Sequence, residues 1–179
     1  MDLRVVKTLK NIERTFLDLA AKDGIEDMTV KSLCTHAQIN KATFYAHYAG
    51  MHELLEDMED KAIEEIRADN VIDERALRAP TDFLMRMLDA CGDNEAANIF
   101  MNSGRRSTFV RKLFAGVRED LYRRFPELRD SEGFDFVLTF VFHGLMGVTT
   151  EYDENKDDKR LIASRLGEGI SLMFQRAMA

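Results

Sequence analysis

The side chains best suited to chemistry in this 179-residue chain crowd into one stretch, Thr29 to Tyr48, which reads TVKSLCTHAQINKATFYAHY. Lys41, Thr43, Tyr45 and His47 supply an ammonium, a hydroxyl, a phenol and an imidazole within seven residues. Such groups make hydrogen bonds to base edges and phosphates. Ala42 between them keeps the surface low, so that a helix carrying them could approach a groove floor. Thr29, with the helix ends near it, offers hydroxyl and N–H donors to phosphate. Asn40 is of the type that caps a helix beginning at Lys41. Catalysis finds no comparable set. The chain lacks a Gly-rich phosphate loop, a His-x-x-x-His pair and a convincing nucleophile–base arrangement, so no enzyme activity and no cofactor are expected. Cys34 and Cys91 lie 57 residues apart with no metal-ligand spacing, which predicts two reduced thiols and no metal.

The elements that must position these groups read as helices throughout. Val6, Leu9, Ile12, Phe16 and Leu19 step by three or four, predicting a helix over 3–22 that stops before Gly24. Thr29 opens a second short helix with Val30, Leu33 and Cys34 on its inner face. After the break at Gln38-Ile39-Asn40 a third runs from Lys41 to Tyr48. Two short helices joined by so tight a turn form a helix-turn-helix, whose second helix enters the DNA major groove. Leu33, Ala37, Ile39 and Phe44 supply its small core. A fourth helix is expected over 51–68, a polar linker over 69–80, and further helices over 81–91, 94–103, 107–124, 132–152 and 157–177. The fold class is therefore all-α with about nine helices: an N-terminal helix-turn-helix domain, 1–50, and a helical bundle over 51–179.

Charge sharpens the division. The formal net charge is −7, which argues against a general polyanion binder. Residues 1–50 nevertheless carry seven basic residues (Arg4, Lys7, Lys10, Arg14, Lys22, Lys31, Lys41) against six acidic ones, a balance of +1, and the remainder of the chain carries −8. An anionic partner is expected at the N-terminal end. The opening MDLRVVKTLKNIER is charged and helix-patterned, unlike a secretory leader, and charges interrupt every apolar run, so a cytoplasmic protein without a membrane span is expected.

Beyond Pro80 the composition shifts: ten of the twelve Phe and six of the ten Met lie there. Phe83, Met87, Phe100, Phe114, Phe136, Phe140 and His143 could line an apolar cavity for a small apolar or aromatic effector, or could simply be core. Residues 134–148, FDFVLTFVFHGLMGV, are apolar nearly all round and must be covered on more than one side. Gly144 and Gly147 would admit another helix closely, and Ile162, Leu166, Ile170 and Met173 form a stripe on the last helix. Together these residues suggest a subunit interface, the alternative being packing within one chain.

The run Ala37-Gln38-Ile39-Asn40-Lys41-Ala42-Thr43-Phe44-Tyr45-Ala46-His47-Tyr48, followed by Glu53-Leu54-Leu55, resembles the TetR/AcrR family of bacterial transcriptional regulators. Ile12, Phe16, Leu19, Gly24, Thr29 and Val30 fall where that family's first helix and its Gly and Thr-Val positions lie. The resemblance implies an all-helical homodimer with a variable C-terminal ligand domain and a dimer interface built from the last two helices. It also implies a double-stranded, pseudo-palindromic DNA operator and, most simply, ligand-responsive repression. The C-terminal layout is similar to the DhaS-like subgroup, which raises the alternative of a co-activator or adaptor acting through protein partners without DNA. Two positions depart from the family pattern. Gln38 stands where the turn usually has Gly, implying mild backbone strain. Met51 stands where a Lys usually reaches a phosphate, which would remove one backbone anchor and lower the salt slope by about one unit.

Overall fold

The computed structural model describes residues 3–151 and 156–178, with side chains at all of these except 132 and 149–164. Its regular structure is helical: among the described residues there are ten α-helices, a short 3-10 helix over Pro126–Asp130, and no strand. In α1 (Leu3–Asp23) the fully buried Ile12 and Phe16, with Ala20, repeat every fourth residue and make its inner edge. Gly24 ends that helix with φ of 76°, a left-handed conformation that a side chain would strain, and its N–H donates to Ala20 O at 3.0 Å. The helices α2 (Val30–His36) and α3 (Lys41–Tyr45) follow, and α4 (Met51–Asp69) is long. Next come α5 (Glu74–Arg78), α6 (Pro80–Asp93), α7 (Glu95–Met101) and α8 (Arg106–Arg124). After the 3-10 helix the chain closes with α9 (Glu132–Glu151) and α10 (Lys156–Met178).

Two expectations are corrected. The stretch 69–80 is not all linker, because α5 forms inside it. Asp73 caps it, accepting from the N–H groups of Arg75 and Ala76, Glu74 sits in its first turn, and Arg75 and Arg78 sit near its C-terminal end, so charge complements the helix dipole at both ends. Ile72, Ala76 and Pro80 are buried there. The second correction is that α3 ends at Tyr45, before the expected Tyr48, and Ala46 and His47 form a turn that closes onto Ala42 O and Phe44 O.

By packing, the chain divides into two compact units, each built from two stretches of sequence. The N-terminal unit is Met1–Glu65 with Gly92–Phe109; the C-terminal unit is Ile66–Cys91 with Val110–Ala179. The N-terminal unit therefore takes in most of α4 and all of α7. Its core joins Ile12, Phe16, Leu33, Phe44, Leu54 and Phe100, with Phe100 stacked between Phe16 (centroids 6.2 Å apart) and Phe109 (5.7 Å). Glu59, fully buried, accepts from Arg105 Nε at 2.6 Å, and Glu26 accepts from Gly104 N–H at 3.0 Å, tying the turn after α7 into this unit.

The C-terminal unit packs α9 against α10 around Phe134, Leu138, Phe142, Leu145, Ile170 and Phe174, with Phe134 and Phe174 5.4 Å apart. Phe83, Met87, Leu113 and Phe114 are buried in the same unit. Arg67 forms a fork with Asp120, Nε and Nη2 each 2.7 Å from one carboxylate oxygen. No described helix is long and apolar enough to cross a membrane.

Candidate nucleic-acid interface

The candidate site is built on a three-helix frame. Thr29 and Ser32 cap α2 reciprocally: Ser32 N–H donates to Thr29 Oγ1 at 3.1 Å, and Thr29 N–H donates to Ser32 Oγ at 3.1 Å. Leu33 and Cys34 face inward from α2, and burial pushes the Cys34 thiol's pKa up. Neither Cys34 nor Cys91 forms a disulfide, and both are buried. Asn11 on α1 donates through Nδ2 to Ala37 O at 2.7 Å, gripping the end of α2. The chain then reverses at Gln38, whose φ is 54°. Among the described residues it is the one non-glycine with positive φ, at the position where sequence comparison led us to expect strain.

Asn40 begins α3. Its Oδ1 accepts from Thr43 N–H at 2.7 Å and from Thr43 Oγ1 at 3.0 Å. Phe44 is fully buried, its ring 5.6 Å from Tyr45 edge-on and 5.7 Å from Tyr48. With Phe44 anchored inward, α3 presents Lys41, Ala42 and Tyr45 outward, Tyr45 with 54% of its surface exposed, while Thr43 and His47 are half-buried. Thr29 and Asn40 are exposed as well, so the structure brings all seven sequence-predicted contact residues to the surface of this motif at least in part. It also divides their work. The side-chain oxygens of Thr29, Asn40 and Thr43 are engaged in capping, whereas Lys41 and Tyr45 project with polar tips bound to nothing else in the described chain.

Sequence reasoning missed a polar chain behind α3. Tyr48 is buried, and its hydroxyl donates to Asp57 Oδ2 on α4 at 2.6 Å. Lys61 donates to the same oxygen at 2.7 Å and to Glu13 Oε1 on α1. Burial, then the hydrogen bond to Asp57, push the Tyr48 hydroxyl's pKa far above the ordinary tyrosine range, so it remains a donor. Burial opposes the Lys61 charge, but its bonds to Asp57 and Glu13 outweigh that and hold its pKa above its ordinary value. Glu53 accepts from Ala49 N–H, capping the start of α4. Met51 opens that helix, beside the exposed His52, which lies 3.4 Å from Glu56.

Residues 17–58 match bacterial regulatory proteins of the tetR family. A 67-residue stretch is 39% identical to an uncharacterized HTH-type transcriptional regulator, YxbF, of Bacillus subtilis (strain 168). That match covers 37% of this chain and 18% of the relative, so the two are comparable over a fraction of the relative's length. No solved structure matches the chain. The matched segment spans the end of α1, the capped α2–α3 pair with its turn, and the first part of α4.

The residues expected to line an effector cavity fall in both units, and one of them, Phe136, lines an open groove. Phe100 belongs to the N-terminal unit's aromatic stack, whereas Phe83, Met87 and Phe114 are closed core of the C-terminal unit. Phe136 and Phe140 on α9 are 76% and 68% exposed, and His143 is exposed too, with its ring edge against Phe114 at 5.1 Å. The cause is helix geometry: Phe134, Leu138, Val141, Phe142 and Leu145 take the inner face of α9, leaving Phe136 and Phe140, one turn apart, on the other. The C-terminal unit instead carries an open groove of about 850 Å³ lined by Arg118, Glu119, Tyr122, Arg129, Asp135 and Phe136, among others. There Tyr122 donates to Asp135 at 2.7 Å, and burial with that bond raises its pKa to about 12.

Of the expected interface residues, Gly144 and Gly147 are exposed, with open space where a Cβ would stand. Leu166 is exposed and Met173 half-buried, but Ile170 is buried inside the unit, so it serves the unit's own core. The Ile162 side chain lies outside the described residues.

Proposed function

We propose that this chain is a dimeric, DNA-binding transcriptional regulator that places α3 of each copy in a major groove of a pseudo-palindromic operator. The observation that carries the reading is the exposure of Lys41 and Tyr45 on a helix capped by Asn40 and anchored by Phe44, inside a segment matching the tetR family. Lys41 and Tyr45 contact DNA directly, with Ala42 permitting close approach and His47 at the edge. Thr29 and Asn40 act mainly by shaping the helix ends. The DNA-binding part begins with residues 1–50 and draws on the rest of the N-terminal unit for its support. The remainder pairs the copies through the outward face of α9, Phe136, Phe140, Gly144 and Gly147, and through Leu166 and Met173 of α10. Catalysis forms no part of this reading.

Repression relieved by a small effector is the regulatory mode that the family likeness supports. Such an effector must bind the non-DNA conformation more tightly, because equal affinity for both shifts nothing. The charged groove beside Tyr122 suits a polar effector better than the apolar one that the Phe-rich sequence led us to expect. A second reading, a TetR-fold adaptor that acts through protein partners without DNA, is favoured by Met51 at a family phosphate-contact position.

A gel shift with the DNA upstream of the chain's own gene, at two salt concentrations, separates these readings. The DNA-binding reading expects specific retardation that weakens with salt. It also expects loss in the variant Lys41→Ala with Tyr45→Ala, while fold and dimer persist. Retained binding by that variant, or no binding even at low salt, overturns it.

A further inference from the structure

We propose that the polar chain Tyr48–Asp57–Lys61–Glu13 is a positioning device that sets how α3 is presented, so that Tyr48 governs DNA reading without touching DNA. The inference rests on the reading of α3 as the DNA-contacting helix. Four observations carry it. Tyr48 lies three residues beyond Tyr45, in the turn that ends α3, and its backbone N–H already donates to Phe44 O at 3.0 Å. Its hydroxyl reaches out of that turn to Asp57 on α4 at 2.6 Å. Asp57 is in turn held by Lys61, one helical turn away at 2.7 Å, and Lys61 is held by Glu13 of α1. At the other end of the motif Asn11, also on α1, grips Ala37 O at 2.7 Å. The turn before α3 and the turn after it are thus both referred to α1 by side-chain hydrogen bonds.

Apolar packing alone would not do this. Phe44 is the one buried side chain within α3, and a five-residue helix held by a single ring can rock about it. A directional bond to a carboxylate removes that freedom, because its strength falls steeply with angle and distance. The bond is partly buried and its acceptor, Asp57, is itself paired with Lys61, so water competes poorly for it. A phenylalanine would fill the same place at Tyr48 and leave the ring contact with Phe44 intact, but it would lose the tie.

The test uses the full chain and two probes: a duplex selected from a random pool by the wild-type protein, and sonicated genomic DNA for non-specific binding. Tyr48→Phe and Asp57→Ala are expected to weaken binding to the selected duplex about tenfold, the ratio that one charged hydrogen bond carries. Binding to genomic DNA and its salt slope should be unchanged, since no phosphate contact is removed. Asp57→Asn, which still accepts from Tyr48, should retain affinity within about twofold of wild type. Without any DNA, amide exchange at 43–48 should quicken about tenfold in Tyr48→Phe while α1 and α4 keep their protection. The inference is overturned if Tyr48→Phe binds the selected duplex as wild type does, or if specific and non-specific binding fall together. It is overturned equally if exchange at 43–48 is unchanged. Failure of the wild type to select any duplex counts against DNA reading, and the exchange experiment then decides the positioning role by itself.

Discussion

On its outer face α3 shows Lys41, Ala42 and Tyr45; α9 shows Phe136 and Phe140 with Gly144 and Gly147. Both are helices anchored by buried phenylalanines, and both belong to units with closed aromatic cores. They differ in what exposure costs. The α3 side chains end in groups that water solvates well, so this surface can meet a partner and leave it. Two phenyl rings one turn apart, beside glycines that leave room for a second helix, lose free energy for as long as they stay wet. The contrast separates a surface for an intermittent partner from one suited to a lasting partner, and lasting interfaces resemble cores cut in half.

That contrast can be broken most forcefully on α9. Phe136→Asp with Phe140→Asp is expected to leave each chain folded, because both rings are already exposed within it. In a symmetric pair four rings would be lost, weakening association by more than about 4 kcal/mol, a factor of about 1,000, seen by sedimentation velocity. A variant that still sediments as wild type would remove the distinction. Next in size is a cavity in the N-terminal unit. Phe16→Ala unstacks a fully buried ring from Phe100 and should cost about 3–5 kcal/mol in urea unfolding, abolishing operator binding while association through α9 persists.

A smaller effect is expected in the C-terminal unit. Arg67 hydrogen-bonds Asp120 and holds its carboxyl below the ordinary aspartate range, against the opposing effect of burial. Since the folded value lies below the unfolded one, the contribution is complete above about pH 4 and disappears as pH falls through the depressed value. Asp120→Asn should therefore cost about 1–2 kcal/mol at neutral pH and flatten the acid limb of the stability curve, measured by thermal melts across pH. The smallest effect returns to the reading motif. Gln38→Gly relieves a left-handed side chain and should gain about 0.5–1 kcal/mol after the extra entropy of an unfolded glycine is counted, a rise of a few degrees in Tm.

The N-terminal motif was legible because its signals are local. Caps at Thr29 and Asn40, a turn at Gln38 and apolar residues three or four apart each speak within one helical turn. The tie from Tyr48 to Asp57 was not legible, because the partners lie nine residues apart on separate elements and neither type is unusual at its position. On α9 the difficulty was opposite. When nearly every residue over 134–148 is apolar, periodicity cannot say which face is covered, so it does not tell the exposed Phe136 and Phe140 from the buried Phe134 and Phe142. Helix α5 escaped notice because five residues with two arginines and a glutamate carry no apolar stripe; only the Asp73 cap announces it. The aromatic stack of Phe16, Phe100 and Phe109 depends on segments some ninety residues apart.

The brevity of α3 has a thermodynamic consequence. Five residues cannot sustain a helix in water, so all of its helicity is borrowed from the unit that holds it. If α3 reads DNA as proposed, folding of that unit and competence for DNA are one equilibrium, linked in both directions. A ligand saturating α3 at a hundred times its Kd would raise the unit's stability by about 2.7 kcal/mol. By the same linkage, any agent that loosens α1 would silence the helix from behind, leaving every base-facing atom chemically untouched.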